Sequence, residues 1–206
     1  MLKRRFKSGN ILEAGVDEAG RGCLAGPVAA AAVMLKPGKN YKWYSELNDS
    51  KLLNEKKRNE LRKFIEQDAL AWAVALASHE EIDAINILNA SFLAMHRAIN
   101  SLAVCPELLL IDGNRFKSYK ELKHACIVKG DGKYLNIAAA SILAKTHRDE
   151  LMLKMHDEFP VYGWDHNKAY GTLFHRAAID HHGLSPYHRK SFRCGETELD
   201  INYEEN

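Results

Sequence analysis

The chain holds 206 residues, 46% of them hydrophobic and 27% charged, with a formal net charge of +2. That is enough to bury one sizeable core, and it excludes a fibre, a collagen or wholesale disorder. The longest apolar stretch, roughly residues 23–35, is broken by Gly26 and Pro27 and falls short of the ~20 residues that span a bilayer.

In chain order, I-L-E-A-G-V-D at 11–17 predicts a strand that ends at Asp17, and P-V-A-A-A-A-V-M-L at 27–35 predicts a second, buried on both faces. P-G-K-N at 37–40 is a turn. Residues 54–67 predict a helix with Leu61, Phe64 and Ile65 on its apolar side, and 69–77 a third strand. Ser78 and Glu81 have capping-box spacing, opening a long helix with Ile82, Ile85, Leu88, Phe92, Met95 and Ile99 at helical intervals. Short apolar strands at 107–111 and 124–128 run into Asp112-Gly113 and Lys129-Gly130-Asp131, and a helix over 135–158 follows. Beyond Gly163 the chain is short-stepped and helical. The pattern predicts an α/β fold, a mixed sheet covered by helices with a helical C-terminal part.

The tail at 195–206 carries Glu196, Glu198, Asp200, Glu204 and Glu205 and no Lys or Arg, so it is expected to be mobile. Without those five charges the rest stands at +7, which suits a polyanionic partner. Cys23, Cys105, Cys126 and Cys194 are scattered with no C-x-x-C pair, and acidic residues follow the basic N-terminus too soon for a signal peptide. A reducing, cytoplasmic setting is expected.

Asp17-Glu18, Asp112 and Asp131 all stand at strand ends, where open α/β sheets build their sites. Taken singly, each Asp-Gly is a common turn dipeptide. Asp17 and Glu18 differ, because adjacent like charges repel unless a cation sits between them. Hard oxygen ligands favour Mg²⁺ or Mn²⁺ over zinc. Successive strand residues point to opposite faces, so the reading requires a turn just after Asp17. Gly20-Arg21-Gly22 would allow it; the segment fails as a dinucleotide fingerprint, because the third glycine position holds Ala25. His147-Arg148-Asp149 has a kinase-loop pattern inside a predicted helix and is set aside, while His188-Arg189-Lys190 with Arg193 is read as a phosphate-facing basic patch.

With those residues placed, the sequence resembles the ribonuclease HII family, bacterial type 2 ribonucleases H. G-V-D-E-A-G-R-G-C-L-A-G-P-V at 15–28 is similar to the family's opening motif. L-N-D-S-K-L-L at 47–53, L-L-L-I-D-G-N at 108–114, V-K-G-D at 128–131, A-Y-G-T-x-x-H at 169–175 and S-P-Y-H-R-K-S-F at 185–192 follow in order. The resemblance implies a ribonuclease H-like five-stranded mixed sheet, residues 1–194 as one catalytic domain that includes a helical part from about 160, and a monomer with no membrane partner. It implies cleavage of RNA in RNA–DNA hybrids, and of single ribonucleotides in duplex DNA on their 5′ side, leaving 3′-hydroxyl and 5′-phosphate ends. Asp17, Glu18, Asp112 and Asp131 would hold two divalent ions, about 4 Å apart, that stabilise the attacking and leaving oxygens. Gly20-Arg21-Gly22 would read the ribose 2′-hydroxyl through backbone, Tyr170 would stack on the neighbouring sugar and Lys51 would touch phosphate. Ala169 stands where relatives often have glycine. A hybrid-binding module without catalysis would lack one of the four acids, and a phosphatase would leave the Gly-Arg-Gly corner and Tyr170 unexplained.

Overall fold

The computed structural model describes residues 2–9 and 11–193; the acidic tail lies outside the described residues. β1 (Glu13–Ala19), β2 (Val28–Met34), β3 (Ala71–Ala77), β4 (Leu108–Asp112) and β5 (Lys123–Ile127) form one sheet in the order β3-β2-β1-β4-β5. β1 and β3 are both antiparallel to β2, whereas β4 runs parallel to β1 and β5 parallel to β4. α1 (Glu55–Asp68), α2 (His79–Asn100) and α3 (Leu135–Glu158) cover the sheet, and the short α4 (Trp164–Asn167) and α5 (Leu173–His182) follow. This is the expected mixed α/β arrangement.

Alternation along β1 decides which side chain meets which helix. Ala14 and Val16 join Ala30, Ala32, Ile82, Ala90 and Ala94 in the core beneath α2. Gly15 and Asp17 face α3 instead. A β-carbon on Gly15 would stand 2.1 Å from the backbone carbon of Asn136, so only glycine lets α3 lie this close to the strand. Asn136 then stitches the layers: its side chain donates to the Glu13 carbonyl at 2.9 Å and accepts the Leu35 amide at 3.1 Å. The alanine-rich first half of α3 packs with Ala31, Val33, Leu61 and Ile65 as a second core layer.

Two expectations are corrected here. β1 does not end at Asp17 but continues to Ala19, with Glu18 opposite Ala30 and Ala19 opposite Ala29. The turn required just after Asp17 is therefore absent, and Glu18 sits on the α2 side of the sheet. The long helix after the Ser78–Glu81 capping box is also interrupted, at Asn86 (φ 65°, ψ 163°). The Asn86 side chain re-caps the second half by accepting the Leu88 and Asn89 amides, both at 3.1 Å.

The C-terminal helical part is bonded into the loop between β1 and β2. Cys23, Leu24 and Ala25 share a core with Met152, Tyr162, Trp164, Ala169 and Ile179. The Leu24 amide donates to the Ala169 carbonyl, the Gly26 amide to Tyr187 and the Arg189 amide to Leu24, all at 2.8–2.9 Å.

Candidate metal centre and glycine corner

β1 and β4 end side by side, and the loop after β5 returns to them. One carboxylate oxygen each from Asp17, Asp112 and Asp131 lies within 4.8 Å of the others. Asp17 and Asp131 are buried. Backbone amides orient all three: Glu18 donates to Asp17 Oδ1 at 2.7 Å, Gly130 to Asp112 Oδ1 at 2.6 Å and Gly132 to Asp131 Oδ1 at 2.8 Å. Burial, then Glu18 and Asp112, push the Asp17 carboxyl well above its ordinary range. Burial, then Asp112 and Asp49, raise Asp131. Three carboxylates held together against their own repulsion, with no sulfur or imidazole in the group, fit a hard divalent cation.

Glu18 is not one of the three. It reaches a separate crevice of about 330 Å³ shared with Asp112, Arg21 and the α2 residues Leu88, Ser91, Phe92 and Met95. Its Oε1 accepts Arg21 Nη1 at 2.9 Å, and burial outweighs that cation to raise its pKa. Asp112 is thus approached by Asp17 from the α3 side of β1 and by Glu18 from the α2 side.

Sequence reasoning missed the residues behind Asp17. Ser141, on α3, acts against that upward shift of Asp17, and the Ser141 hydroxyl lies 2.8 Å from that of Ser50. Ser50 begins a 3-10 turn, Ser50–Leu52, capped by Asp49, whose Oδ1 accepts the Lys51 amide at 2.8 Å. The Lys51 charge lowers the pKa of both Asp131 and Tyr170. The lone serine in A-A-A-S was the available signal.

The corner is built from two buried arginines. Arg148, 1% exposed, donates to the carbonyls of Pro27, Lys168 and Ala25 at 3.1, 2.9 and 3.2 Å. Arg189, 0% exposed, donates to those of Gly26, Arg21 and Gly20 at 2.9, 2.9 and 2.7 Å. In a planar trans peptide the next amide points away from the carbonyl. Drawing the Gly20 and Arg21 carbonyls inward therefore turns the Arg21 and Gly22 N–H groups outward. This corrects the reading of His188-Arg189 as a phosphate-facing patch: both side chains are buried, and only Lys190 and Arg193 of that run are exposed.

The two glycines differ. Gly20 has φ +93°, and a β-carbon there would meet Arg148 Nε at 2.0 Å. Gly22 is open, its nearest neighbour being Tyr170 Cε1 at 4.0 Å. A side chain at Gly20 therefore damages the support, while one at Gly22 acts on the outer surface. Tyr170 pairs with Cys23 through an isolated bridge, is 42% exposed and has Lys145 Nζ 5.7 Å from its ring centre. Just before it, Lys168 and Ala169 both adopt positive φ, 48° and 68°, which is why glycine would be the easier residue at 169.

A buried imidazole pair holds Tyr170 from below. The Trp164 indole donates to His175 Nε2 at 3.0 Å, so His175 carries its proton on Nδ1 and donates to the Tyr170 carbonyl at 2.9 Å. His188 Nε2 lies 3.1 Å from His175 Nε2 and supplies its proton there, while Nδ1 accepts the Ser185 amide and hydroxyl at 2.9 and 2.8 Å. Burial, then His175, push the His188 pKa down to about 4. The unfolded chain takes up that proton near pH 6.5, so this stabilisation is complete above 6.5 and drains as pH falls toward 4. Thermal melts are expected to show about 2 kcal/mol lost between pH 6.5 and 5 from this group. His188→Gln should flatten that decline.

Comparison with known proteins gives the family and the fold. Residues 14–194 match the family model described as Ribonuclease HII. Ribonuclease HII of Bacteroides fragilis is 61% identical over 193 residues, covering 93% of this chain and 94% of that protein. The Bacteroides thetaiotaomicron protein of the same name is 59% identical over 196 residues, covering 94% and 96%. The crystal structure of ribonuclease H2 from Pyrococcus horikoshii superposes with a TM-score of 0.73 at 25% identity, covering 88% of this chain and 94% of that one.

Proposed function

Because the chain belongs to the ribonuclease HII family, a group of divalent-metal-dependent ribonucleases H acting on RNA–DNA substrates, we propose that it nicks duplex DNA on the 5′ side of single embedded ribonucleotides. It also cuts RNA in longer hybrids, leaving 3′-hydroxyl and 5′-phosphate ends. The observation that carries this reading is the convergence of Asp17, Asp112 and Asp131 beside an outward-facing, rigidly held backbone corner.

In this reading Asp17, Asp112 and Asp131 hold the cation, with Glu18 as the fourth acid entering from the other side of β1. Mg²⁺ or Mn²⁺, when bound, stabilises charge on the attacking and leaving oxygens of the phosphodiester. The outward N–H groups at Arg21 and Gly22 meet the ribose 2′-hydroxyl, the one local feature that separates RNA from DNA. Tyr170 packs on the adjoining sugar and Lys51 neutralises phosphate. Residues 1–194 act as one catalytic domain, as a monomer in the cytoplasm; among the described residues no helix is long and apolar enough to cross a membrane.

The test is a labelled DNA duplex carrying one ribonucleotide, incubated with Mg²⁺ or Mn²⁺. A single nick 5′ to that residue is expected, with no cut in the all-deoxy duplex. Failure with both ions overturns the proposal.

A further inference from the structure

Asp83 lies in the first part of α2, ahead of the break at Asn86, where a helix carboxylate is ordinarily left to solvent. Here both of its oxygens are taken by the far end of the chain. Oδ2 accepts the Lys190 amide at 2.9 Å, and Oδ1 accepts the Ser191 amide at 2.9 Å and the Ser191 hydroxyl at 2.6 Å. Burial acts to raise its pKa, but the Ser191 hydroxyl and the two amides outweigh burial and hold the Asp83 carboxyl below its ordinary range, as an ionised acceptor.

What Asp83 grips is the segment that supports the glycine corner. Arg189, the residue just before, reaches the Gly20, Arg21 and Gly26 carbonyls. Phe192, just after, donates its amide to the Arg189 carbonyl at 3.1 Å, and its ring centre lies 5.0 Å from the guanidinium carbon. Its side chain packs against both the core beneath α2 and the C-terminal one. An arginine has several rotatable bonds, so a fork aimed at three carbonyls needs an anchored backbone beneath it. Burial first lowers the Arg189 pKa, to about 10, and Asp83 is a carboxylate whose charge acts against that fall. The positive φ at Asn86 lets residues 79–85 leave the axis of the rest of α2, so Asp83 meets this segment while Ala90 and Ala94 stay on the sheet.

We propose that Asp83 is a positioning residue for ribose recognition: by clamping residues 190 and 191 it fixes Arg189, which holds the Gly20–Gly22 corner with its carbonyls inward and its amides outward. The inference rests on the reading of that corner as the element that meets the 2′-hydroxyl. Among the described residues, Asp83 bonds to neither the clustered acids nor the corner itself, so its loss loosens the test of the sugar and leaves the cation site alone.

The experiment measures the affinity of the full chain for two DNA duplexes identical but for one ribose. Ca²⁺ replaces Mg²⁺, because its looser coordination occupies carboxylates without the strict octahedral geometry of the smaller ion. The ratio of the two affinities does not depend on how much of the protein is folded, so a variant that is merely destabilised keeps it. Wild-type protein should prefer the ribose-containing duplex. Asp83→Asn keeps the size but removes the charge and turns a donor toward the 190–191 amides; it should lose about fivefold or more of that preference. Its affinity for the all-deoxy duplex and its melting-temperature gain with Mn²⁺ should be little changed. Ser191→Ala removes only the hydroxyl contact; it should move the ratio the same way by less, and it carries the test if Asp83→Asn does not fold. A wild type with no ribose preference overturns the reading of the corner, and this inference with it. A wild-type preference that the folded variants keep in full overturns the role of Asp83 alone.

Discussion

Asp112→Asn is expected to reduce ribonucleotide nicking by roughly 10³-fold or more, because the several kcal/mol a bound cation supplies at each reacting oxygen depends on the charge of its ligands. Asp112 is the sharpest choice because it raises the pKa of Asp17, Glu18 and Asp131 alike, so it is the acid common to both sides of β1. The substitution keeps the shape and the Oδ1 acceptor for the Gly130 amide at 2.6 Å. It also relieves like-charge repulsion, so the metal-free variant should melt at or above the wild-type temperature. Wild-type protein should gain melting temperature with added Mn²⁺ or Mg²⁺, and the variant should lose most of that gain. Normal turnover by a folded Asp112→Asn protein would sink the assignment of the centre.

The second large effect is expected at Arg189. Arg189→Met removes the donors to two buried carbonyls, Gly20 and Gly26, and to the part-buried carbonyl of Arg21. At ~1–3 kcal/mol per unsatisfied buried group, the cost should be about 2 kcal/mol or more. The distinctive result is which function is lost. Turnover at saturating substrate should fall sharply, while the melting-temperature rise with Mn²⁺ persists, since none of the clustered acids touches Arg189. Arg189→Lys should fall between the two, because an ammonium cannot present the fixed fork that serves several carbonyls at once. Equal loss of the metal-induced shift would mean that the two halves of the site are not separable in this way.

Local chemistry was readable in the sequence where it acts over a few residues. The Ser78–Glu81 capping box and the bounds of α3 at Leu135 and Glu158 follow from spacing alone. What was not readable depends on partners far along the chain. A cation in a basic run, such as Arg189, looks like a phosphate ligand until the carbonyls it serves, 163–169 residues earlier, are brought to it. Gly15 reads as an ordinary strand glycine, and its purpose lies in a helix more than a hundred residues away. The Asp17-Glu18 pair invited a turn because both acids were assigned to one point. The strand instead keeps its alternation, and Asp112 on the neighbouring strand is reached from both sides.

The carbonyl-in, amide-out corner also has a timetable. During synthesis the carboxylates at 17, 18, 112 and 131 all emerge before residue 189. A chain still short of that arginine has its acids but lacks the guanidinium that orients Gly20 and Arg21. The element that would test a sugar is thus locked last, by almost the final described residues. A truncated or stalled product would be blind to ribose before it was blind to metal.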